Sequence, residues 1–230
     1  MHEKTIAFIT SSTRSPRLNP FITDYVRSVI ASSLPNGISL HSVDITNYNL
    51  PIYNEPRIPA TLPKEDPTCH YQHETTRKWS YEIRKYDAYI FVTPQYNWSL
   101  PASLKNAIDY LFHEWTGKPV GIVSYGGHGG SKAAAHLQDV TRGLRMKCVS
   151  TTPSLTITLK TLEDCMRNGR LDDGLKQLWL EGGCVEAIHK MFAEILENLN
   201  SSPKPLMEKT ILLPLTIGFY CRTSRILYTI

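Results

Sequence analysis

The stretch Phe91-Val-Thr-Pro-Gln-Tyr-Asn97 changes character at Pro94, and the rest of the chain can be interpreted outward from that point. Before the proline, the β-branched and aromatic run 88–93 is typical of a buried strand, and Pro94 has no N–H with which to continue a sheet ladder. After it, apolar residues recur at spacings of three and four from Leu100 to Phe112, as on one face of a helix. The sequence therefore predicts a strand, a short polar loop and a helix.

The polar loop between this strand and this helix is a candidate ligand site. The pattern predicts that Ser99 caps the helix and that Pro101 lies in its first turn. In an open α/β sheet, ligands bind beyond the carboxyl ends of the strands. Gln95, Tyr96 and Asn97 therefore lie where a ligand is expected.

The same order of strand, loop and helix repeats along the chain. Strands are predicted at 5–10, 38–45, 87–93, 120–124 and 149–159, the last interrupted at Pro153. Helices are predicted at 20–30, 70–86, 132–144 and 171–199. Strands that alternate with helices indicate parallel βαβ units. We expect an α/β fold, a flavodoxin-like three-layer sandwich with a five-stranded parallel sheet in the order 2-1-3-4-5.

Length and composition favour one main domain. The chain has 230 residues, of which 41% are hydrophobic and 20% charged, and we assign residues 1–202 to the domain and 203–230 to a C-terminal tail without an assigned role. The net charge of +4 is mild and no dense run of Lys and Arg is present, so nucleic-acid binding has little support and anionic small ligands fit better. The proline-rich segment 47–67 predicts a long extended loop.

The cysteines and the start of the chain bear on its compartment. Five cysteines are scattered without a C-x-x-C pair, which favours reduced thiols. The residues before the first strand lack the features of a signal peptide, and the apolar segment 211–217 is far below the roughly 18 residues of a membrane span. We therefore expect a cytoplasmic protein without a membrane span.

Polar loops follow the first, third and fourth predicted strands, whose carboxyl ends meet at one edge of the sheet. The first loop combines the hydroxyls of Ser12 and Thr13, the guanidiniums of Arg14 and Arg17, and a helix N-terminus, which together suit a phosphate. An ordinary capped helix with solvated arginines is the alternative. The third of these loops, Ser124-Tyr-Gly-Gly-His-Gly-Gly130, has glycines whose backbone can approach a flat ring or a phosphate closely.

Other chemistries have weaker support in the sequence. Neither G-x-G-x-x-G nor G-x-x-x-x-G-K-[ST] is present, which argues against a Rossmann dinucleotide site and a Walker A loop. No G-x-S-x-G elbow is present to supply a serine nucleophile. His70 and His73 would share a face of the predicted helix, but they have no Cys, Asp or Glu partner at a convincing spacing, and no metal site is predicted.

Taken together, three segments resemble the NADPH-dependent FMN reductase family, flavodoxin-like enzymes that include quinone and azo-dye reductases. The family hallmark T-P-E-Y-N-G-S-x-P-x-x-L-K-N-A-I-D is matched by Thr93-Pro-Gln-Tyr-Asn-Trp-Ser-Leu-Pro-Ala-Ser-Leu-Lys-Asn-Ala-Ile-Asp109. The family's G-S-T-R phosphate loop is similar to Ser11-Ser-Thr-Arg14, and its S-Y-G-G-x-G-G loop is similar to residues 124–130. The similarity covers roughly residues 4–200.

The resemblance implies an enzyme that binds FMN non-covalently and passes a hydride from NADPH or NADH through it to quinones, azo compounds or free flavin. The phosphate of FMN would be held by residues of the first loop, namely Ser12, Thr13, Arg14, Arg17 and Asn19. The isoalloxazine would be lined by Pro94, Gln95, Tyr96 and Asn97 on one side, and by Ser124, Tyr125, Gly126, Gly127 and Gly129 at its other edge. The flavin carries the redox chemistry, so no separate catalytic residue is expected. A homodimer or homotetramer is also implied.

Three positions depart from the family pattern. Ser11 replaces a glycine whose missing side chain lets the backbone approach the phosphate, Gln95 replaces a glutamate, and Trp98 replaces a glycine. These departures leave open a non-catalytic flavin-binding redox sensor or protein-interaction module, and an electron carrier is a third alternative, against which the +4 charge counts. Candidate cations for the extra phosphate of NADPH are Arg57, Lys64, Arg84 and Lys85.

Overall fold

The computed structural model describes residues 3–201. Its strands are β1 (Lys4–Thr10), β2 (Ile38–Asp44), β3 (Ala88–Pro94), β4 (Pro119–Gly126), β5 (Lys147–Cys148) and β6 (Ser154–Thr156). Its helices are α1 (Asn19–Ala31), α2 (Glu74–Arg84), α3 (Ala102–Asp109), α4 (Ser131–Gly143), α5 (Leu159–Asn168), α6 (Asp173–Glu181) and α7 (Cys184–Asn200). The predicted tail 203–230 lies outside the described residues, so its boundary with the domain stays a prediction.

The sheet has the predicted order. The strands run β2-β1-β3-β4-β5, all pairings between them are parallel, and β6 also pairs with β4. The fifth position is therefore shared by two short pieces, with β5 beside the start of β4 and β6 beside its end. Pro153 lies between the two pieces, as predicted, and its carbonyl accepts the N–H of Ser124 at 3.0 Å. The bounds differ from the predicted strand 149–159, because β5 ends before residue 149 and β6 ends at Thr156.

Both faces of the sheet are buried under helices, which makes the three-layer sandwich. All seven residues of β3 are buried, and alternate side chains enter opposite cores. Tyr89 and Phe91 pack with residues of α2, α3 and α4, whereas Ile90 and Val92 pack with residues of α1, α6 and α7. The indole N–H of buried Trp79 donates to the carbonyl of Ala107 at 2.8 Å, which ties α2 to α3. The predicted flavodoxin-like fold class is confirmed.

Helix α2 begins later than predicted, which separates the two histidines. His70 lies in a 3₁₀ turn and His73 is the N-cap residue of α2, so they do not share a helical face. The buried carboxylate of Glu55 accepts the N–H of Gln72 at 2.9 Å and that of His73 at 3.0 Å, and it thereby satisfies N–H groups at the helix start. Within residues 3–201, no three His, Cys, Asp or Glu side chains converge as a metal-binding group.

The start of α3 also differs from the prediction. The helix begins at Ala102 with Pro101 as its N-cap, and Ser99 does not cap it. Ser99 instead exchanges backbone hydrogen bonds with Tyr96, both at 2.9 Å, across a two-residue turn. Its hydroxyl oxygen lies 2.6 Å from Nδ1 of His136 in α4. The serine is therefore occupied in a tight turn, which is the physical reason it is unavailable to the helix.

The C-terminal part of the described chain is more divided than its pattern suggests. The predicted helix 171–199 is two helices, because Gly182 and Gly183 interrupt it and Gly183 adopts a φ of +74°. Helix α5 is not among the predicted helices: its first residue falls in the last predicted strand, and its remaining residues lie between that strand and the helix predicted from residue 171. It begins with reciprocal capping between Thr158 and Thr161. None of the helices in the described region is both long enough and apolar enough to cross a membrane.

Candidate functional site

A cleft of about 440 Å³ opens at the carboxyl ends of β1, β3 and β4. Eight of the fourteen predicted cofactor-binding residues line it, namely Arg14, Arg17, Pro94, Gln95, Tyr96, Tyr125, Gly126 and Gly127. The remaining six, Ser12, Thr13, Asn19, Asn97, Ser124 and Gly129, do not. The cleft is completed by side chains that the sequence did not indicate, chiefly Leu18, Ile157, Leu159 and Leu162.

Ser12 and Asn19 shape the first loop from inside the protein. Both are fully buried, and Oδ1 of Asn19 accepts the N–H of Ser12 at 2.6 Å. The amide nitrogen of Asn19 donates to the carbonyl of Val92 at 2.9 Å, which joins the loop to the end of β3. The hydroxyl oxygens of Ser12 and Tyr96 lie 2.7 Å apart. These contacts fix the shape of the loop, so in this structure both residues act on the cleft through its backbone.

The two arginines of the first loop have different surroundings. Arg17 donates to both carboxylate oxygens of Asp44, at 3.0 and 2.6 Å, and also to the carbonyl of Ser12. Partial burial raises the pKa of Asp44, but the hydrogen bonds from Arg17 and Thr46 outweigh it and hold that pKa below its usual value. The Arg14 side chain is exposed and, among residues 3–201, has no hydrogen-bond or ion-pair partner. Arg14 is therefore the arginine whose charge is available to an anion.

The start of α1 adds to this positive end of the cleft. Its N-cap residue, Leu18, makes no side-chain hydrogen bond, so the first turn is left without a protein cap. Ser11 does not obstruct the loop, because its side chain is fully buried and its hydroxyl donates to the carbonyl of Ile9 at 3.2 Å. Thr13 lines a neighbouring pocket beside Thr46 rather than the cleft itself.

Gln95 has a structural role that the sequence did not indicate. Its side-chain oxygen accepts the backbone N–H of Lys132 at 3.0 Å and that of Ala133 at 3.4 Å. Its backbone N–H donates to the carbonyl of Tyr125 at 2.9 Å. Gln95 therefore caps α4, whose N-cap residue is Gly130 and has no side chain to do so. A glycine at the N-cap position of a helix cannot cap it, and this was the sequence signal that a side chain from another segment would do so. An amide oxygen supplies the acceptor that a glutamate would supply.

The glycine loop after β4 contains two kinds of glycine. Gly129 has a φ of +78°, and a Cβ there would lie 2.0 Å from Oγ of Ser154. Its carbonyl accepts the hydroxyl of buried Ser124 at 2.9 Å, so both residues build the loop from within. Gly126 and Gly127 instead face the cleft, and a Cβ at Gly127 would meet no atom within 4 Å. These two positions leave space for a ligand.

The part of the cleft lining that follows β6 is mostly apolar. It consists of Ile157, Thr158 and, at the start of α5, Leu159 and Leu162. The Leu159 side chain is 83% exposed, which is unusual for leucine and leaves it available to a ligand. The capping pair Thr158 and Thr161 around these leucines was the sequence signal that could have identified this part of the lining.

The cations considered for the extra phosphate of NADPH lie elsewhere. Arg84 pairs with Asp66, and Lys85 pairs with Glu82 at 2.6 Å. Both precede β3, whose opposite end forms the cleft, so neither lines the cleft, and the residues that meet the extra phosphate of NADPH stay a prediction. Arg57 and Lys64 are not among the cleft residues.

Comparisons with known proteins agree with the fold and the loops. The model of the family described as NADPH-dependent FMN reductase matches residues 5–158. An NAD(P)H-dependent FMN reductase of Nectria sp is 36% identical over 196 residues, which cover 84% of this chain and 96% of the relative. A quinone reductase of Pseudomonas putida is 36% identical over 125 residues, covering 52% of this chain and 59% of that protein.

Among solved structures, the flavoenzyme NAD(P)H:(acceptor) oxidoreductase of Paracoccus denitrificans has a TM-score of 0.58 at 22% identity, and the match covers 83% of this chain and 98% of that one. At this identity the likeness supports the fold alone. The sequence matches go further, since the family model spans well over half of the chain. This chain belongs to the NADPH-dependent FMN reductase family.

Proposed function

We propose that this oxidoreductase binds FMN in the cleft at the ends of β1, β3 and β4 and uses it to transfer a hydride from NAD(P)H to a quinone. The observation that carries the proposal is the cleft itself, whose lining combines the unpaired guanidinium of Arg14 with apolar side chains and glycines. Its volume of about 440 Å³ falls in the range of small-molecule pockets, roughly 300–1,000 Å³. FMN has the matching parts, a dianionic phosphate and a planar ring system.

The residues present fit each part of FMN. Arg14 and the uncapped start of α1 would hold the phosphate, with Arg17 keeping the loop in place through Asp44. The open space at Gly127 would admit the edge of the ring without a side chain in the way. Exposed Leu159 and half-buried Leu162 of α5 would cover apolar ring surface that otherwise faces water.

Bound FMN supplies the hydride chemistry, and the protein supplies binding and orientation. Tyr96, fixed by Ser12, and Gln95, fixed by α4, give the ring one rigid side. Burial raises the pKa of Tyr125 well above its usual value. The chain's part in catalysis is to hold the ring and its substrate in register and to exclude water.

A quinone is the acceptor that this lining fits best, because it is planar and needs little hydrogen bonding. The Pseudomonas putida relative named quinone reductase supports the same class. Azo compounds and free flavin share the planar shape and belong to the same proposal. We further propose that the protein works in the cytoplasm as a homodimer or homotetramer, consistent with four free cysteines in the described region.

The test begins with purified protein and FMN. We expect flavin absorbance bands that remain after gel filtration, and NADPH oxidation that depends on an added quinone such as menadione. Absence of flavin bands after reconstitution would overturn the proposal. Bound FMN without turnover would favour the redox-sensor alternative.

Arg14 gives a sharper test of where the phosphate lies. Arg14→Ala removes a charge-assisted contact worth about 1.5–3 kcal/mol, so FMN affinity should fall roughly 10- to 150-fold. Arg142→Ala is the matched control, because it removes the same charge from an exposed position on α4 that pairs with Asp139. Equal FMN affinity in the two variants would mean that the phosphate binds elsewhere.

A further inference from the structure

Trp98 is an exposed indole held in an unusual backbone conformation beside the cleft. Its side chain is 73% exposed, whereas Trp79, Trp115 and Trp179 are at most 3% exposed. It occupies the second position of the turn closed by Tyr96 and Ser99, with a φ of +65° that favours glycine. The fold therefore presents a large aromatic surface to solvent at a position where the backbone prefers no side chain at all.

A cation lies over this indole. Nζ of Lys132 is 5.2 Å from the centroid of the Trp98 ring, within the range of a cation–π interaction. Among residues 3–201, the Lys132 ammonium has no carboxylate partner. The ring and the ammonium are thus both available to a ligand, and they already lie in contact with each other.

The pair is connected to the proposed cofactor cleft through Gln95. The backbone N–H of Lys132 donates to the side-chain oxygen of Gln95, and Gln95 lines the cleft. Trp98 follows Tyr96, another cleft residue, in the same tight turn. Trp98 and Lys132 are therefore each tied to a residue of the cleft lining, Trp98 through the turn that begins at Tyr96 and Lys132 through Gln95.

We propose that Trp98 and Lys132 form a substrate subsite for planar aromatic anions, an inference that rests on the proposed function. The indole stacks on the aromatic part of the ligand, and the ammonium pairs with its sulfonate, carboxylate or phosphate group. Two sources share this chemistry, an acidic quinone-type acceptor and the adenosine 2′-phosphate portion of NADPH. The subsite selects charged substrates over neutral ones of the same shape.

Calorimetric titration of the FMN-loaded protein tests the subsite directly. The probes are anthraquinone-2-sulfonate with neutral anthraquinone-2-methanol as its partner, and adenosine 2′-phosphate with adenosine as its partner. Lys132→Gln should lower the affinity for the anionic probe about 3- to 10-fold and leave the affinity for its neutral partner within about 2-fold of wild type. Lys132→Arg should restore the preference. Lys190→Gln is the charge-matched control, at an exposed position on α7.

Trp98→Gly tests the stacking surface and also suits the positive φ of the turn. We expect the affinity for both members of a probe pair to fall by roughly 5- to 150-fold, because stacking does not depend on charge. An effect confined to the two anthraquinone probes identifies the acceptor as the ligand, and one confined to adenosine 2′-phosphate and adenosine identifies NADPH. Either result supports the subsite.

Two results would overturn the subsite without touching the proposed function. One is unchanged binding of every probe in Lys132→Gln while the flavin spectrum is normal. The other is a smaller particle by sedimentation in Trp98→Gly with unchanged probe affinity, since Trp98 would then be a subunit contact. Failure of the wild-type protein to bind FMN would instead remove the proposed function first.

Discussion

On one side of the cleft, Asn19 and Gln95 bind backbone groups through hydrogen bonds of 2.6 to 3.4 Å, while on the other side Leu159 and Leu162 present only carbon atoms. The first side joins three loops into one network that includes the start of α4. The second side depends on a single helix start, and Leu159 is almost fully exposed there.

The difference separates two requirements of a flavin enzyme. Hydrogen bonds are directional, so the side that contains Ser12, Asn19 and Gln95 has one shape before any ligand arrives, which reduces the ordering cost of binding. Apolar contacts are not directional, so the leucine side can accept rings of different outline. We expect the first side to govern cofactor affinity and protein stability, and the second to govern substrate range.

The largest expected effect comes from Asn19→Ala, which breaks the hydrogen-bonded side at its centre. The change leaves the buried N–H of Ser12 without its acceptor and the carbonyl of Val92 without its donor. The free energy of unfolding should fall by about 3 kcal/mol, with loss of FMN binding. Urea denaturation followed by circular dichroism measures it, and Asn47→Ala, at an exposed position, is the control. A loss below about 1 kcal/mol would contradict the network.

The second effect tests the junction between the two sides. Gly129→Ala must hold a side chain at a φ of +78° and displace the hydroxyl of Ser154, so we expect a loss of about 2 kcal/mol in stability. Gly127→Ala is the matched control, because its Cβ would meet nothing within 4 Å. Thermal unfolding of both variants decides the point. Equal melting temperatures would mean that the loop adapts and that the sides are not rigidly joined.

The third effect is a pH dependence confined to the hydrogen-bonded side. Because the pKa of Asp44 is lowered in the folded protein, its stabilising effect is complete above the unfolded value of 3.8 and is lost as pH falls through the lowered folded value. Asp44→Asn should therefore cost about 1 kcal/mol at pH 7, and the difference from wild type should shrink in that acidic window. Urea titrations at a series of pH values measure it, with exposed Asp139→Asn as the control. A difference that persists below the window would refute the assignment.

The smallest expected effect on stability comes from the apolar side. Leu159→Ala removes an exposed side chain and should change the free energy of unfolding by less than about 0.5 kcal/mol. The KM for menadione should nevertheless rise a few-fold, because the leucine covers part of the proposed ring site. Steady-state kinetics at saturating NADPH measures it. A large loss of stability would show that this side is as integral to the fold as the other.

Much of the hydrogen-bonded side could be predicted because its residues are adjacent in sequence. The alternation of strands and helices indicated the sheet order, and Pro94 to Tyr96 follow a strand whose end had to lie beside the ends of β1 and β4. Local patterns did not separate Arg14 from Arg17, since that distinction depends on Asp44 at the end of β2. Nor did they indicate the buried role of Asn19, whose acceptor Val92 is 73 residues away.

The apolar side was missed for a different reason. Leu159 follows a run of β-branched residues, so its segment resembled the end of a strand, and only the tertiary position of α5 brings it to the cleft. The sequence also identified Trp98 as a departure without indicating its neighbour, because Lys132 belongs to a distant element, the start of α4. Contacts between distant segments are set by packing of the whole sheet and leave little trace in local periodicity.

The division of the fifth sheet position has a consequence for assembly. An edge strand exposes a row of unpaired N–H and C=O groups that can recruit another chain. Here that row is only two residues long in β5 and three in β6, with Pro153 between them. The edge is therefore a poor template for strand addition. The interruption that divides the strand therefore also shortens the backbone edge with which a second copy of this chain could pair.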